Sequence, residues 1–187
     1  MVNPFITFYT PTYRRPQGLA RCLQSVQEQT AVALIEQIVI PDHCGVGGDD
    51  GVGKMFSRIP QYVDAIHGQY VHVLCDDDVL AAPDVVEKVR VFAEMEGHPE
   101  MILVDATKGS SRWPMTPAWP PRNVSNIDLG CGIVRPDIWK RHVAAYSSFY
   151  DGDFRFYKAL HAAGVEAVAY PILLTGAVSH GAAEDAA

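Results

Sequence analysis

Hydrophobic positions along the chain fall into short runs separated by amphipathic stretches. FITFY at 5–9 is apolar and β-branched and ends in TPTYRRP, a pattern that predicts a strand leaving its sheet into a loop. In PQGLARCLQSVQEQT, Leu19, Cys22, Leu23 and Val26 recur at i, i+3, i+4 and i+7, one apolar stripe on an otherwise polar helix. LIEQIVI (34–40) predicts a second strand. MFSRIPQYVDAIHG predicts a second helix through Phe56, Ile59, Val63 and Ile66, although Pro60 sits inside it. YVHVLC (70–75) reads as a third strand and APDVVEKVRVFAEMEG as a helix with Pro83 near its first turn and Gly97 just past its end. MILVD (101–105) is a fourth strand.

From 107 to 128 the pattern breaks. Pro114, Pro117, Pro120 and Pro121 together with Trp113 and Trp119 exclude a regular helix or central strand and predict a long surface loop. CGIVRP then returns as a strand, PDIWKRH as a helical turn, DFRFYKALHAAG as a helix closed by Gly164, and VEAVAY as a last strand. Strands alternating with amphipathic helices predict an α/β fold, a mostly parallel sheet with helices on both faces. Ligands of such sheets bind beyond the carboxyl ends of the strands.

With 187 residues, 48% of them hydrophobic, the chain is expected to form a single domain over 1–180 with a frayed tail at 181–187. A formal charge of −7 argues against a protein that coats nucleic acid or anionic membrane. Cys22, Cys44, Cys75 and Cys131 are scattered without a C-x-x-C pair, which indicates neither a zinc knuckle nor a disulfide framework. The apolar stretches are too short and interrupted to span a bilayer, and the first residues lack the order of a signal peptide. A cytoplasmic, soluble protein is expected.

Three groups of residues carry candidate chemistry. VHVLCDDDVL places Asp76, Asp77 and Asp78 at the end of an apolar run. Carboxylates so crowded repel one another unless partnered. Alternate residues at a strand end point to the same side, so Asp76 and Asp78 converge on one hard cation, Mg²⁺ or Mn²⁺, while Asp77 faces away; a helix cap or a solvated turn is the simpler use. GGDDGVGK fits the phosphate-binding pattern G-x-x-x-x-G-K through Gly48, Gly53 and Lys54, but Met55 stands where a hydroxyl residue is needed and Asp49 and Asp50 bring negative charge into the cradle. A connection whose Lys54 or Arg58 faces a nucleotide fits better. Finally, Asp151 and Asp153 flank Gly152 at a helix start, where free N–H groups and the helix dipole stabilise a carboxylate.

Taken in order, ITFYTPTYRRPQGLARCLQSVQEQT, YVHVLCDDDVL, LGCGIVRPDIWKR and DGDFRFYKALHAAG resemble the four motifs of family 2 glycosyltransferases of the GT-A fold, across nearly the whole chain. The resemblance implies that Thr10, Pro11, Thr12 and Tyr13 meet the base and ribose of a nucleotide-sugar donor, with Arg14 or Arg15 near its phosphates. Asp42 matches the residue that contacts the base. Asp78 would ligate the metal, with Asp76 on the metal or the ribose; in an alternative register Cys75 stands where the first aspartate usually does. Asp153 would be the catalytic base, with Asp151 as its substitute because Gly152 replaces the usual Glu. His180 resembles a late histidine that reaches the metal or diphosphate. Gly130, Cys131 and Gly132 would line the strand behind the acceptor site, and Trp113 and Trp119 would lie on the acceptor side. The implied activity is metal-dependent, inverting transfer of a sugar from a nucleoside-diphosphate sugar to an acceptor hydroxyl. A nucleotidyltransferase on a similar sheet, or a degenerate nucleotide-sugar-binding module, are the alternatives.

Overall fold

A computed structural model of the chain describes residues 3–41, 58–108, 111–113, 119–121, 127–146 and 151–177. Asp42, Lys54, Phe56, His180, the G-x-x-x-x-G-K segment and the tail expected at 181–187 lie outside these residues.

The described residues form one mixed sheet with the strand order β2-β1-β3-β7-β5-β8-β4 and with β6 attached to β5. Its strands are β1 (Ile6–Thr12), β2 (Ile35–Pro41), β3 (Tyr70–Val73), β4 (Asp78–Leu80), β5 (Met101–Lys108), β6 (Ser111–Trp113), β7 (Gly132–Val134) and β8 (Ala167–Ala177). β1 pairs in parallel with β2 and β3, and β5 in parallel with β8. β7 runs antiparallel between β3 and β5, so β1, β2, β3, β5 and β8 all point the same way and share one carboxyl edge.

Side-chain alternation splits the core into two layers. Ile6, Phe8, Tyr70, Leu74, Ile102 and Val104 pack with Cys22 and Val26 of α1 (Pro16–Gln27) and with Val85, Val86, Val89 and Ala93 of α2 (Val85–Met95). Tyr9, Val71, Val73, Met101 and Leu103 face the other way, onto Ile138 and Trp139 of α3 (Pro136–His142) and Phe156, Tyr157 and Leu160 of α4 (Gly152–Ala162). The Trp139 ring touches Tyr9, Tyr146 and Phe156 at centroid separations of 5.8, 6.0 and 5.0 Å. Such a buried aromatic cluster fixes α3 and α4 against the sheet.

Four expectations change. The helix expected around 55–68 is, over its described part, a 3₁₀ helix at Ile59–Ala65, with Pro60 in its first turn; proline donates no backbone hydrogen bond, and only this short tight form is built. The last strand runs past Tyr170 to Ala177, and its register with β5 shifts between Leu103 and Asp105, opposite the stretch holding Pro171. Part of the proline-rich stretch is ordered, because β6 folds back on β5 and sets Trp113 opposite Ala106. And the third strand ends at Val73, before the aspartates.

Candidate active site

The acidic segment is a turn. The backbone N–H of Asp78 donates to the Cys75 carbonyl over 3.0 Å, and Asp78 opens β4, which pairs antiparallel with the end of β8. A turn brings its first and fourth residues together, and strand alternation does not apply within it. The expectation that Asp76 and Asp78 converge while Asp77 faces away is therefore corrected. One ligand atom each from Cys75, Asp77 and Asp78 lie within 4.8 Å of one another. Asp76 is 1% exposed and turns toward β1.

There its carboxylate is bound by the loop that follows β1. The backbone N–H of Tyr13 donates to one oxygen (3.3 Å) and Arg15 Nη1 to the other (3.1 Å). The same Arg15 nitrogen reaches Asp77 at 2.9 Å. Burial pushes the Asp76 carboxyl above the ordinary aspartate value, against the opposing pull of the Thr12 hydroxyl and Arg15. Arg14, with φ 51°, is in the left-handed region and lays its guanidinium 5.2 Å from the Tyr13 ring centroid.

Gly18 explains how α1 comes so close. A Cβ at this position would stand 2.8 Å from the Asp76 carbonyl oxygen, so only glycine lets the first turn of the helix rest on the acidic turn.

The remaining donor-side candidates divide. Thr10 is fully buried and its hydroxyl accepts from the Gln37 amide over 2.8 Å, so it belongs to the core and does not face a ligand; Pro11 is buried as well. Thr12 and Tyr13 are half-buried at the sheet edge. Arg58 Nη1 donates to the Pro41 carbonyl at 2.9 Å, tying the 3₁₀ segment to the end of β2, while the Tyr9 hydroxyl donates to the Tyr62 carbonyl at 2.7 Å.

Asp151 and Asp153 stand at the start of α4. Asp151 is the N-cap residue but its carboxylate accepts from Arg155 Nε at 2.9 Å, one turn along, on an exposed face. Asp153 is half-buried, and one of its oxygens accepts from the Phe154 N–H at 2.7 Å. Tyr146 packs on Phe156 of α4, ring centroids 5.1 Å apart, in the core cluster against which Cys75 also lies. This buried phenol is held well above its ordinary pKa chiefly by desolvation, then by the charges of Tyr157, Asp153, Cys75 and Asp128. Asp153 and Cys75 thus act on one phenol from two elements. Tyr146 and Asp128 carried no signal in the sequence pattern.

Gly130, Cys131 and Gly132 are buried. Gly130 N–H donates to Asp128 Oδ1 at 3.1 Å, and a Cβ on Gly132 would fall 2.6 Å from the Tyr157 hydroxyl. They support the site from behind and offer no side chain to an acceptor. Trp119 packs edge-on to His161, centroids 5.6 Å apart, near the last turn of α4. The 11 residues of α4 rise about 16 Å, which separates it from Asp151 and Asp153. With His161, Gly164, Val165, Glu166 and Ala167 it lines a cleft of about 380 Å³ at the opposite end of that helix.

Set beside known proteins, the fold is that of the GT-A glycosyltransferases. S. aureus TarS in complex with UDP superposes with a TM-score of 0.69 at 14% identity, over 92% of this chain and 60% of that one. A Pyrobaculum calidifontis mannosyltransferase, PcManGT, in complex with GDP-Man and Mn²⁺ gives 0.62 at 13% identity, over 96% and 58%. A glycosyltransferase involved in glycosylation of the major capsid of PBCV-1 gives 0.59 at 9% identity, over 96% and 95%. The chain thus spans less than two thirds of the TarS and PcManGT chains. No family model and no curated protein matches its sequence. Among the described residues no helix is long and apolar enough to cross a membrane.

Proposed function

We propose that the chain is a glycosyltransferase of the family 2 type, forming one domain over 1–180, that moves a sugar from a nucleoside-diphosphate sugar to an acceptor hydroxyl with inversion. The carrying observation is the acidic turn that follows β3 at the carboxyl edge of a GT-A sheet, where ligand atoms of Cys75, Asp77 and Asp78 lie within 4.8 Å of one another. The solved complexes of similar fold, one with UDP and one with GDP-Man and Mn²⁺, support a nucleotide-sugar donor and a divalent ion.

The donor set of the turn fits such an ion, since carboxylate oxygens suit Mg²⁺ and Mn²⁺. When bound, a divalent ion offsets the charge of the diphosphate leaving group. Arg15, positioned by Asp76 and Asp77, adds a fixed positive charge on the same side. Tyr13, half-buried just after β1, borders the base and ribose in this reading. Asp153 accepts the proton of the incoming hydroxyl as its oxygen attacks the anomeric carbon. In this reading the hydroxyl activated by Asp153 of α4 attacks the face opposite the leaving diphosphate, a single displacement that inverts the anomeric centre. Asp151 is engaged by Arg155 and orients the helix start.

The test is hydrolysis and transfer with a panel of UDP-, GDP- and TDP-sugars in Mn²⁺, for wild type and Asp78→Ala. Turnover of at least one donor by wild type, abolished in the variant, supports the reading. A wild type that binds no nucleotide in any divalent metal overturns it.

A further inference from the structure

The ion-binding turn carries a sulfur. Its tight geometry sets Cys75 beside Asp78, and the Cys75 Sγ lies within 4.8 Å of the ligand oxygens of Asp77 and Asp78. The fourth acidic-turn residue, Asp76, is committed to the Tyr13 N–H and to Arg15 and is buried away from that group. Cys75 is only partly buried, whereas Cys22 and Cys131 are buried in the two core layers.

We infer that Cys75 is a metal-selecting residue, a third donor to the divalent ion of the proposed transferase, which makes this site favour Mn²⁺ and thiophilic ions such as Cd²⁺ over Mg²⁺. The inference rests on the assignment of the ion site above. Its physical basis is the donor set. Mg²⁺ demands near-ideal oxygen coordination and gives up water reluctantly, while a thiolate suits softer ions, whose affinities also rise along the divalent series. Three donors this close can share one ion at bond lengths of about 2.0–2.6 Å. An aspartate in the place of Cys75 makes the set all-oxygen and removes the preference.

The experiment is titration of the full chain with Cd²⁺, following sulfur-to-cadmium charge-transfer absorption in the ultraviolet, together with calorimetric titration of Mn²⁺ and Mg²⁺. Wild type, Cys75→Ser, Cys75→Asp and Cys44→Ser are compared, with thermal melts confirming that each folds. The expected result is a band present in wild type and Cys44→Ser and lost in Cys75→Ser. Mn²⁺ is also expected to bind over Mg²⁺ by a ratio that drops on the order of tenfold in Cys75→Asp. A band that survives in Cys75→Ser, or a Mn²⁺/Mg²⁺ ratio unmoved in Cys75→Asp, overturns the inference. Nucleotide binding is measured separately. A Cys75-dependent band in a protein that binds no nucleotide overturns the transferase reading alone, and nucleotide binding without such a band overturns the role of Cys75 alone.

Discussion

The two acidic ends of the site are built in opposite ways. On the turn, Asp76 is buried, fully enclosed by the β1 loop, and bridged to Asp77 through one arginine. On α4, Asp153 is half-buried at a helix start and Asp151 is held only by an exposed arginine one turn away. Under the proposed function the contrast suits two different tasks. A donor side that must hold a diphosphate gains from charges fixed before binding. A base that must receive a proton from an incoming alcohol has to stay within reach of it. The enclosed end should therefore respond to mutation through stability and donor binding together, and the open end through turnover with little loss of stability.

The largest effect is expected at the open end. Asp153→Asn should lower kcat by about 10²- to 10⁴-fold while leaving nucleotide affinity and melting temperature near wild type, measured by steady-state kinetics and calorimetry. An equal loss in nucleotide affinity would erase the division between the ends. Next comes Arg15→Ala, which leaves the Asp76 carboxylate buried without its cation and should cost about 3 kcal/mol in chemical denaturation as well as weakening nucleotide binding. A variant as stable as wild type would show that the enclosed end is not held by this pair.

The third effect is a pH dependence in the sheet that carries the turn. His72 is fully buried on β3; its Nδ1 lies 3.0 Å from the Gly132 carbonyl and so donates, Nε2 has no hydrogen-bond partner among the described residues, and burial lowers its pKa to about 4. The unfolded chain binds this proton near pH 6.5, so stability is complete above that value and falls as the pH drops toward 4, by up to about 3 kcal/mol. His72→Gln should flatten the denaturation profile in this window; a profile as steep as wild type would assign the acid sensitivity elsewhere. The smallest effect belongs to Arg155→Ala. That exposed pair should contribute no more than about 0.5 kcal/mol, and any change should appear in turnover through the placement of α4.

Much of this layout was legible in the chain. FITFY, LIEQIVI, YVHV and MILVD appear as strands and the stripes of α1, α2 and α4 as helices, because each buries one regular face. The acidic run was recognisable as a cluster that could hold a cation. Its orientation was not, since the rule that alternate residues share a face holds only while the strand continues, and this strand ends at Val73. β4 and β6, three residues each, are too short to show a period and exist only through pairing with β8 and β5. The fit of Gly18 under the Asp76 carbonyl is a contact between distant segments that no local pattern encodes. An aromatic in a proline-rich stretch suits a sugar ring or a place against the core equally well, and the packing of Trp119 onto His161 is likewise a contact that no local pattern encodes.

The most direct test is calorimetric titration of UDP and GDP into wild type and Asp77→Ala, each in Mn²⁺ and again after chelation. Binding of at least one nucleotide that requires the ion and disappears in Asp77→Ala is the predicted result. Nucleotide affinity that is the same with and without the ion, and unchanged in the variant, would contradict the assignment of this turn.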